Sequence, residues 1–141
     1  MSTSYELIYV RFRKTITDFD LADLSPSGKA TVELELLQNA ITKYIGCGVV
    51  LSDRNDGALI FNNDLSENNQ QVLAYYMAQS WAEPYMNNQD LFELNFATLE
   101  YNAFSSANKM KAIKDVAEYS EKQAGLIAAK DSVLNIIGGL G

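Results

Sequence analysis

Ser66 to Pro84 reads Ser-Glu-Asn-Asn-Gln-Gln-Val-Leu-Ala-Tyr-Tyr-Met-Ala-Gln-Ser-Trp-Ala-Glu-Pro, one helix with both ends written into the sequence. Ser66 can accept from an early backbone N–H that has no intrahelical partner, which makes it the N-cap. Glu67 falls in the first turn, where the helix dipole favours negative charge. Leu73, Met77 and Trp81 follow at four-residue spacing, with Val72 and Tyr76 on the neighbouring row, so a broad apolar stripe has helical period. Pro84 has no N–H and its ring opposes the Ser80 carbonyl; the helix is expected to end or kink near Glu83. Trp81, the only tryptophan, is expected in the core with one partner for its indole N–H.

Working outward, Lys29 to Ile45 predicts a second helix. Val32, Leu36, Ala40 and Tyr44 form one row and Leu37, Ile41 and Ile45 the next, with Glu33, Glu35, Gln38, Asn39 and Lys43 on the polar side. Gly46 lies in the C′ position. Tyr5 to Ile16 has Leu7 or Ile8, Val10 or Arg11, and Lys14 at helical spacing; Ile8, Val10 and Phe12 also alternate as in a strand, and helix is favoured. Thr17 to Leu21 and Ser25-Pro26-Ser27-Gly28 are connectors. Val49-Val50-Leu51 and Ala58 to Phe61 flank Asp53-Arg54-Asn55-Asp56-Gly57, which predicts a short hairpin within 49–61. A calcium loop started at Asp53 puts Gly57 one place early and apolar Leu59, Ile60 and Phe61 among the ligand positions, so a turn explains the segment better.

Beyond Pro84, Tyr85 to Asn95 is polar and broken. A helical pattern then runs from Phe96 to Leu134 through Phe104, Ala107, Met110, Ala117, Ala124 and Ile127. Continuous from Ala103 to Leu134, it would span roughly 48 Å at about 1.5 Å per residue. Either Gly125 splits it or its second part projects. Ile127, Val133, Leu134, Ile136 and Ile137 are apolar, so the tail either folds back on the bundle or docks on another subunit. The expected architecture is mainly α: a small bundle of about four helices, a short β-hairpin or loop insertion, and a long C-terminal helix or arm. Residues 1–120 are expected to form the helical core and 121–141 the C-terminal arm. Leu37, Ile41, Leu73, Met77, Trp81 and Phe104 are the expected core anchors.

Composition narrows the chemistry. With 141 residues, one domain with its own core is expected. The chain has no histidine, which removes every Ser-His-Asp, Cys-His and histidine–metal arrangement. Cys47 is the only cysteine, so an intrachain disulfide and a zinc cluster are both excluded; between Gly46 and Gly48 it reads as a small buried residue. Net charge is −7. The basic runs Arg11, Arg13, Lys14 and Lys109, Lys111, Lys114 lie beside acids, against general nucleic-acid binding. Acid pairs Asp18/Asp20 and Asp53/Asp56 sit in turn-like segments, where solvated surface is commoner than hydrolytic work. No catalytic, cofactor or metal residues are assigned, and an enzyme is not expected. No apolar run approaches a membrane span, and Ser2 to Ile16 lacks a signal-peptide pattern, so a cytosolic product is expected.

The order of short signatures resembles the head–tail adaptor, or head-completion, proteins of tailed bacteriophages. The residues carrying the resemblance are Asp18-Phe19-Asp20-Leu21, Leu36-Leu37-Gln38-Asn39-Ala40-Ile41, Cys47, Phe61-Asn62-Asn63-Asp64-Leu65-Ser66, Trp81-Ala82-Glu83-Pro84, Asn88 to Leu91, and Phe104-Ser105-Ser106-Ala107-Asn108. They span about Tyr5 to Asn108; the alanine-rich stretch after Tyr119, with its terminal glycines, departs from the family. The resemblance implies a small helical virion protein in the neck between capsid and tail, made in the host cytoplasm. It implies a ring, usually dodecameric, beneath the portal protein, with neighbouring copies of itself and a downstream neck or tail protein as partners. Packaged DNA would pass through the lumen without sequence-specific binding, with no cofactor and no membrane, and the C-terminal segment would meet the portal.

A ring subunit needs two different, complementary faces. Arg11, Arg13 and Lys14 against Asp18, Asp20 and Asp23 of a neighbour are one candidate pairing, with Ile127, Val133, Leu134, Ile136 and Ile137 as further subunit or portal contacts. An acidic lumen would let DNA slide without sticking. The alternative reading is an acidic helical regulatory or interaction protein, which the same charge balance fits.

Overall fold

The computed structural model describes residues 2–19, 21, 30–44, 50–87 and 103–140; in the last two segments side chains are described through residue 86 and from 110 to 130. The connectors at 22–29 and 88–102, Cys47 with its glycines, and the side chain of Phe104 lie outside the described residues. The chain is mainly helical with a small antiparallel sheet. Its elements are β1 (Thr3–Ser4), α1 (Tyr5–Asp18), α2 (Ala30–Lys43), β2 (Arg54–Asn55), β3 (Ile60–Phe61), α3 (Glu67–Asn87) and α4 (Ala103–Leu140).

The choice between helix and strand at the N-terminal segment turns on which face the apolar residues share. A strand would put Ile8, Val10 and Phe12 together, but Val10 is 53% exposed. Tyr5, Ile8, Tyr9, Phe12 and Ile16 are buried on one side of α1, the spacing of a helical stripe. Ser4 caps it, its side chain accepting from the Glu6 N–H at 3.3 Å. At the other end the N–H groups of Phe19 and Leu21 both donate to the Ile16 carbonyl, and Leu21 is buried.

α3 is the hub, packing against α1, α2 and α4. Ser66 caps it as expected, Oγ accepting from the Asn69 N–H at 3.1 Å. Its buried residues, Val72, Leu73, Ala74, Met77, Ala78, Trp81 and Ala82, wrap well beyond one stripe, as a helix flanked by three others requires. Pro84 does not end it: α3 runs through Pro84 to Asn87. Proline removes one backbone bond, the one to the Ser80 carbonyl, and the helix ends three residues later. In the last turns the Tyr85 ring lies against Trp81, with centroids 5.5 Å apart and planes tilted by 58°.

The predicted hairpin exists at a different register. Arg54 pairs with Phe61 and Asn55 with Ile60, so β2 comes from the polar stretch expected to be the turn; Val50 and Leu51 lie outside the strand, and Val49 lies outside the described residues. Side-chain chemistry explains the shift: Asn55 Oδ1 accepts from the Ala58 N–H at 3.0 Å, closing the turn from inside. Leu59 then adopts φ 58°, a left-handed conformation uncommon for leucine, and its carbonyl accepts from the Tyr5 N–H at 3.0 Å. β1 adds to the free side of β3. Its two residues carry no alternating pattern, and no sequence signal marks them. Thr3 also ties the chain start to the entry of α3, donating to the Asn63 carbonyl and accepting from the Leu65 N–H.

α2 packs on α3 through Leu36, Leu37 and Ala40, with Ile41 half-buried against the core. Lys43 reaches Glu83 and Gln79 of α3, and the Tyr44 hydroxyl donates to Asn69 at 2.9 Å. One assignment on α2 is reversed: Glu33, expected on the polar side, is buried at 2% exposure, while Val32 lies at the surface. Leu37, Leu73, Met77 and Trp81 are buried as expected.

α4 is a single helix of 38 residues, about 57 Å at 1.5 Å per residue. Gly125 does not split it. A Cβ built there would meet nothing within 4 Å, so the glycine sits on an open side of the helix, where it costs only about 1 kcal/mol of propensity. Ile113, Val116, Ala117, Ser120 and Ala124 are buried, and Ile127 and Ala128 pack against the core. The packed face therefore runs past the expected core–arm boundary at 120–121.

Candidate functional site

Two polar clusters tie α1 to its neighbours, and the first consumes Arg13, which the sequence offers for an outside contact. In the first, Arg13 donates to both carboxylate oxygens of Glu33, at 2.8 and 2.7 Å, and to Glu6 at 2.8 Å. The fork-shaped guanidinium fits a carboxylate through two parallel bonds. These carboxylates hold Arg13 firmly protonated, Glu33 first through its hydrogen bonds. Tyr9 lies beside them; burial first, then the negative charges of Glu33 and Glu6, push its phenol up to about 12. Its hydroxyl is one of three buried hydroxyls, with Ser80 and Ser120, that lack a partner among the described residues.

In the second cluster Asp56 accepts from the Tyr5 hydroxyl at 2.6 Å, from Gln38 at 3.2 Å and from Arg54 at 3.1 Å. Arg54 also donates to the Leu51 carbonyl. One carboxylate thus joins the hairpin turn to α1 and α2. The Tyr5 hydrogen bond, more than any other contact, lowers the Asp56 pKa, with Gln38 and Arg54 adding to it against burial. Tyr5 is pushed the other way, by burial first and then by the bond to Asp56.

A folded-state carboxyl pKa below the unfolded value, about 3.9, gives stability that is present above that value. It is lost as pH falls through the folded pKa. Asp56→Asn is therefore expected to be less stable than the parent at pH 7, with the gap closing toward pH 3. Urea midpoints at the two pH values check this; a gap independent of pH would refute the assignment.

The candidate contact residues are not gathered into one site. Arg13 is committed inside its own chain, and Arg11 donates to Gln71 of α3 at 3.0 Å. Asp18 is exposed at the end of α1; Asp20 lies outside the described residues. Ile127 packs against its own core. Val133, Leu134, Ile136 and Ile137 lie on the helical backbone of α4, with side chains outside the described set. The pair Asp53/Asp56 is engaged as well, Asp53 accepting from Asn62 at 2.8 Å. No group of three potential metal ligands occurs among the described residues.

Sequence reasoning missed Glu33 and Asp56 as structural charges. A signal for Glu33 was present: 33, 36, 37 and 40 share one helical face, so the glutamate belongs with Leu36, Leu37 and Ala40. It also missed an exposed apolar pair on α1, Leu7 at 51% and Val10 at 53% exposure. Comparisons with protein-family models, curated proteins and solved structures give no match to this chain. No helix among the described residues is long and apolar enough to cross a membrane.

Proposed function

We propose that this chain is a structural virion protein: a head–tail adaptor that assembles as a ring beneath the portal, extends the DNA channel and docks the next neck or tail protein. The observation that carries the reading is the ordered series of short signatures from Asp18-Phe19-Asp20-Leu21 through Trp81-Ala82-Glu83-Pro84 to Phe104-Ser105-Ser106. The shape of α4 supports it. Past Ala128, which packs on the core, the helix continues to Leu140, about 18 Å further at 1.5 Å per residue. Such an extension serves a subunit that reaches a partner.

The excess of acid in the chain, a net −7, suits a lumen past which DNA phosphates must slide, and equally suits the alternative, an acidic regulatory protein. Mixing the purified chain with portal from the same phage separates the two. The adaptor reading expects a stable complex and, by electron microscopy, a ring of this chain on one face of the portal. A monomer or dimer that ignores the portal, with virions that lack the chain, would sink it.

A further inference from the structure

The sequence contains one Asp–Gly step, Asp56–Gly57, and no Asn–Gly step. In such a step the backbone nitrogen of the glycine, unshielded by any Cβ, can attack the Cγ of the aspartate. The N–Cγ bond forms, one carboxyl oxygen leaves as water with the amide proton and the carboxyl proton, and a five-membered succinimide closes. Water then opens the ring. Opening at Cγ restores aspartate; opening at the main-chain carbonyl leaves isoaspartate, with the chain running through Cβ and Cγ and a free α-carboxylate. No atom is gained or lost overall, and water is the only co-reactant.

The fold opposes that attack. The reaction needs a neutral carboxyl that is free to turn toward the Gly57 nitrogen. Asp56 instead accepts at Oδ1 from the Tyr5 hydroxyl at 2.6 Å and from Arg54 at 3.1 Å, and at Oδ2 from Gln38 at 3.2 Å. Both oxygens are committed, to α1, to β2 and to α2. These bonds, Tyr5 foremost, keep Asp56 ionised at neutral pH, and a carboxylate is a poor acceptor for a nucleophile. The segment itself is nonetheless open to water: Gly57 and Ala58 are exposed, and the Asp56 side chain is 38% exposed. A side-chain bond from the Ala58 N–H to Asn55 Oδ1 closes its turn, between strands of two residues each. An exposed turn on so short a hairpin belongs to the parts of a fold that open locally at little cost.

We propose that Asp56–Gly57 is a modification site of this chain: an aspartyl isomerisation site that Tyr5 and Gln38 hold shut, and that opens when the hairpin turn releases from α1 and α2. Conversion to isoaspartate lengthens the main chain by one methylene within the connection 56–59 between β2 and β3, and it consumes the side-chain carboxylate. The Tyr5 hydroxyl, on a fully buried side chain, then loses its acceptor, which disfavours return of the turn to its place. For the cluster the change is one-way, so the isoaspartate content records how often the turn has opened. Nothing in this chemistry requires a partner or a ring.

The full chain is aged at neutral pH, once folded and once unfolded in urea, and isoaspartate at residue 56 is read as resistance to an endoprotease that cuts before aspartate. The expected result is conversion many-fold slower in the folded chain than in the unfolded one. Tyr5→Phe removes one donor and keeps the ring that packs on Phe61 at 4.8 Å; it should raise the folded rate several-fold. Gln38→Leu, at a half-buried position, should raise it less. Ile113→Val is the control for global stability, at a fully buried position on α4, which packs mainly on α3. It should raise the rate only as far as its unfolded fraction, measured by urea denaturation, accounts for. Equal rates in the folded and unfolded parent would overturn the proposal. So would Tyr5→Phe and Gln38→Leu both matching Ile113→Val once their unfolded fractions are allowed for.

Discussion

Replacing Leu73 by alanine is expected to lower the folding free energy by about 3–5 kcal/mol, the upper part of the range for large-to-small core changes. The reason is position. Leu73 is fully buried on α3, and α3 packs against α1, α2 and α4. A cavity on a peripheral helix can shrink when that helix slides inward; one on the hub cannot close toward one neighbour without opening toward another. Native proteins hold only about 5–15 kcal/mol in total, so the thermal midpoint should fall by on the order of 10 °C. Leu126→Ala is the matched control. Leu126 is mostly exposed, and its change should stay within about 0.5 kcal/mol. Urea denaturation of the two variants decides the matter: equal midpoints would show that α3 is not the hub.

Arg13→Ala should be the most damaging change at a polar residue. It strands Glu33, whose side chain is only 2% exposed and whose two oxygens both accept from Arg13. Breaking a buried pair from one side costs about 3–5 kcal/mol. The lower end is expected, because the Arg13 side chain is 27% exposed and water can enter the space it leaves. The Glu6 arm adds little, since Glu6 is 59% exposed and surface pairs are worth about 0–1 kcal/mol. Removing both charges should hurt less than removing one: Arg13→Met with Glu33→Met is expected to recover most of the loss, because no buried charge is then left unpaired. A double-mutant cycle in urea measures the coupling, and a near-zero coupling energy would show that the pair contributes nothing.

Both predictions rest on features of unequal visibility in the sequence. Leu73, Met77 and Trp81 repeat at four-residue intervals behind Ser66, so the hub helix, its start and its buried row were legible. Glu33 was not read correctly, because a glutamate counts as polar wherever it stands; only the arrival of Arg13 from another helix makes its burial tolerable. The hairpin was legible as a turn-rich segment between apolar runs. Its register was not, because Asn55 and Asp56 set the pairing through side-chain bonds that no hydropathy pattern carries. Of the candidate contact residues, the apolar ones of the C-terminal helix were visible in the sequence; the exposure of Leu7 and Val10 on α1 was not, because in the sequence these residues look like core.

By itself, the sequence determined the mainly helical class, the helices near 29–45 and 66–83, a helical C-terminal segment, and the cap at Ser66. Each follows from local periodicity or from backbone groups that need partners within a few residues. Tertiary structure decided that α3 outlasts Pro84, that β1 joins the sheet, and that Arg13 is spent inside the subunit. It also decided which apolar residues are left facing outward. Those outcomes depend on groups far apart in the chain, where one residue's environment is set by another element's surface. Composition and spacing carry no record of that distance.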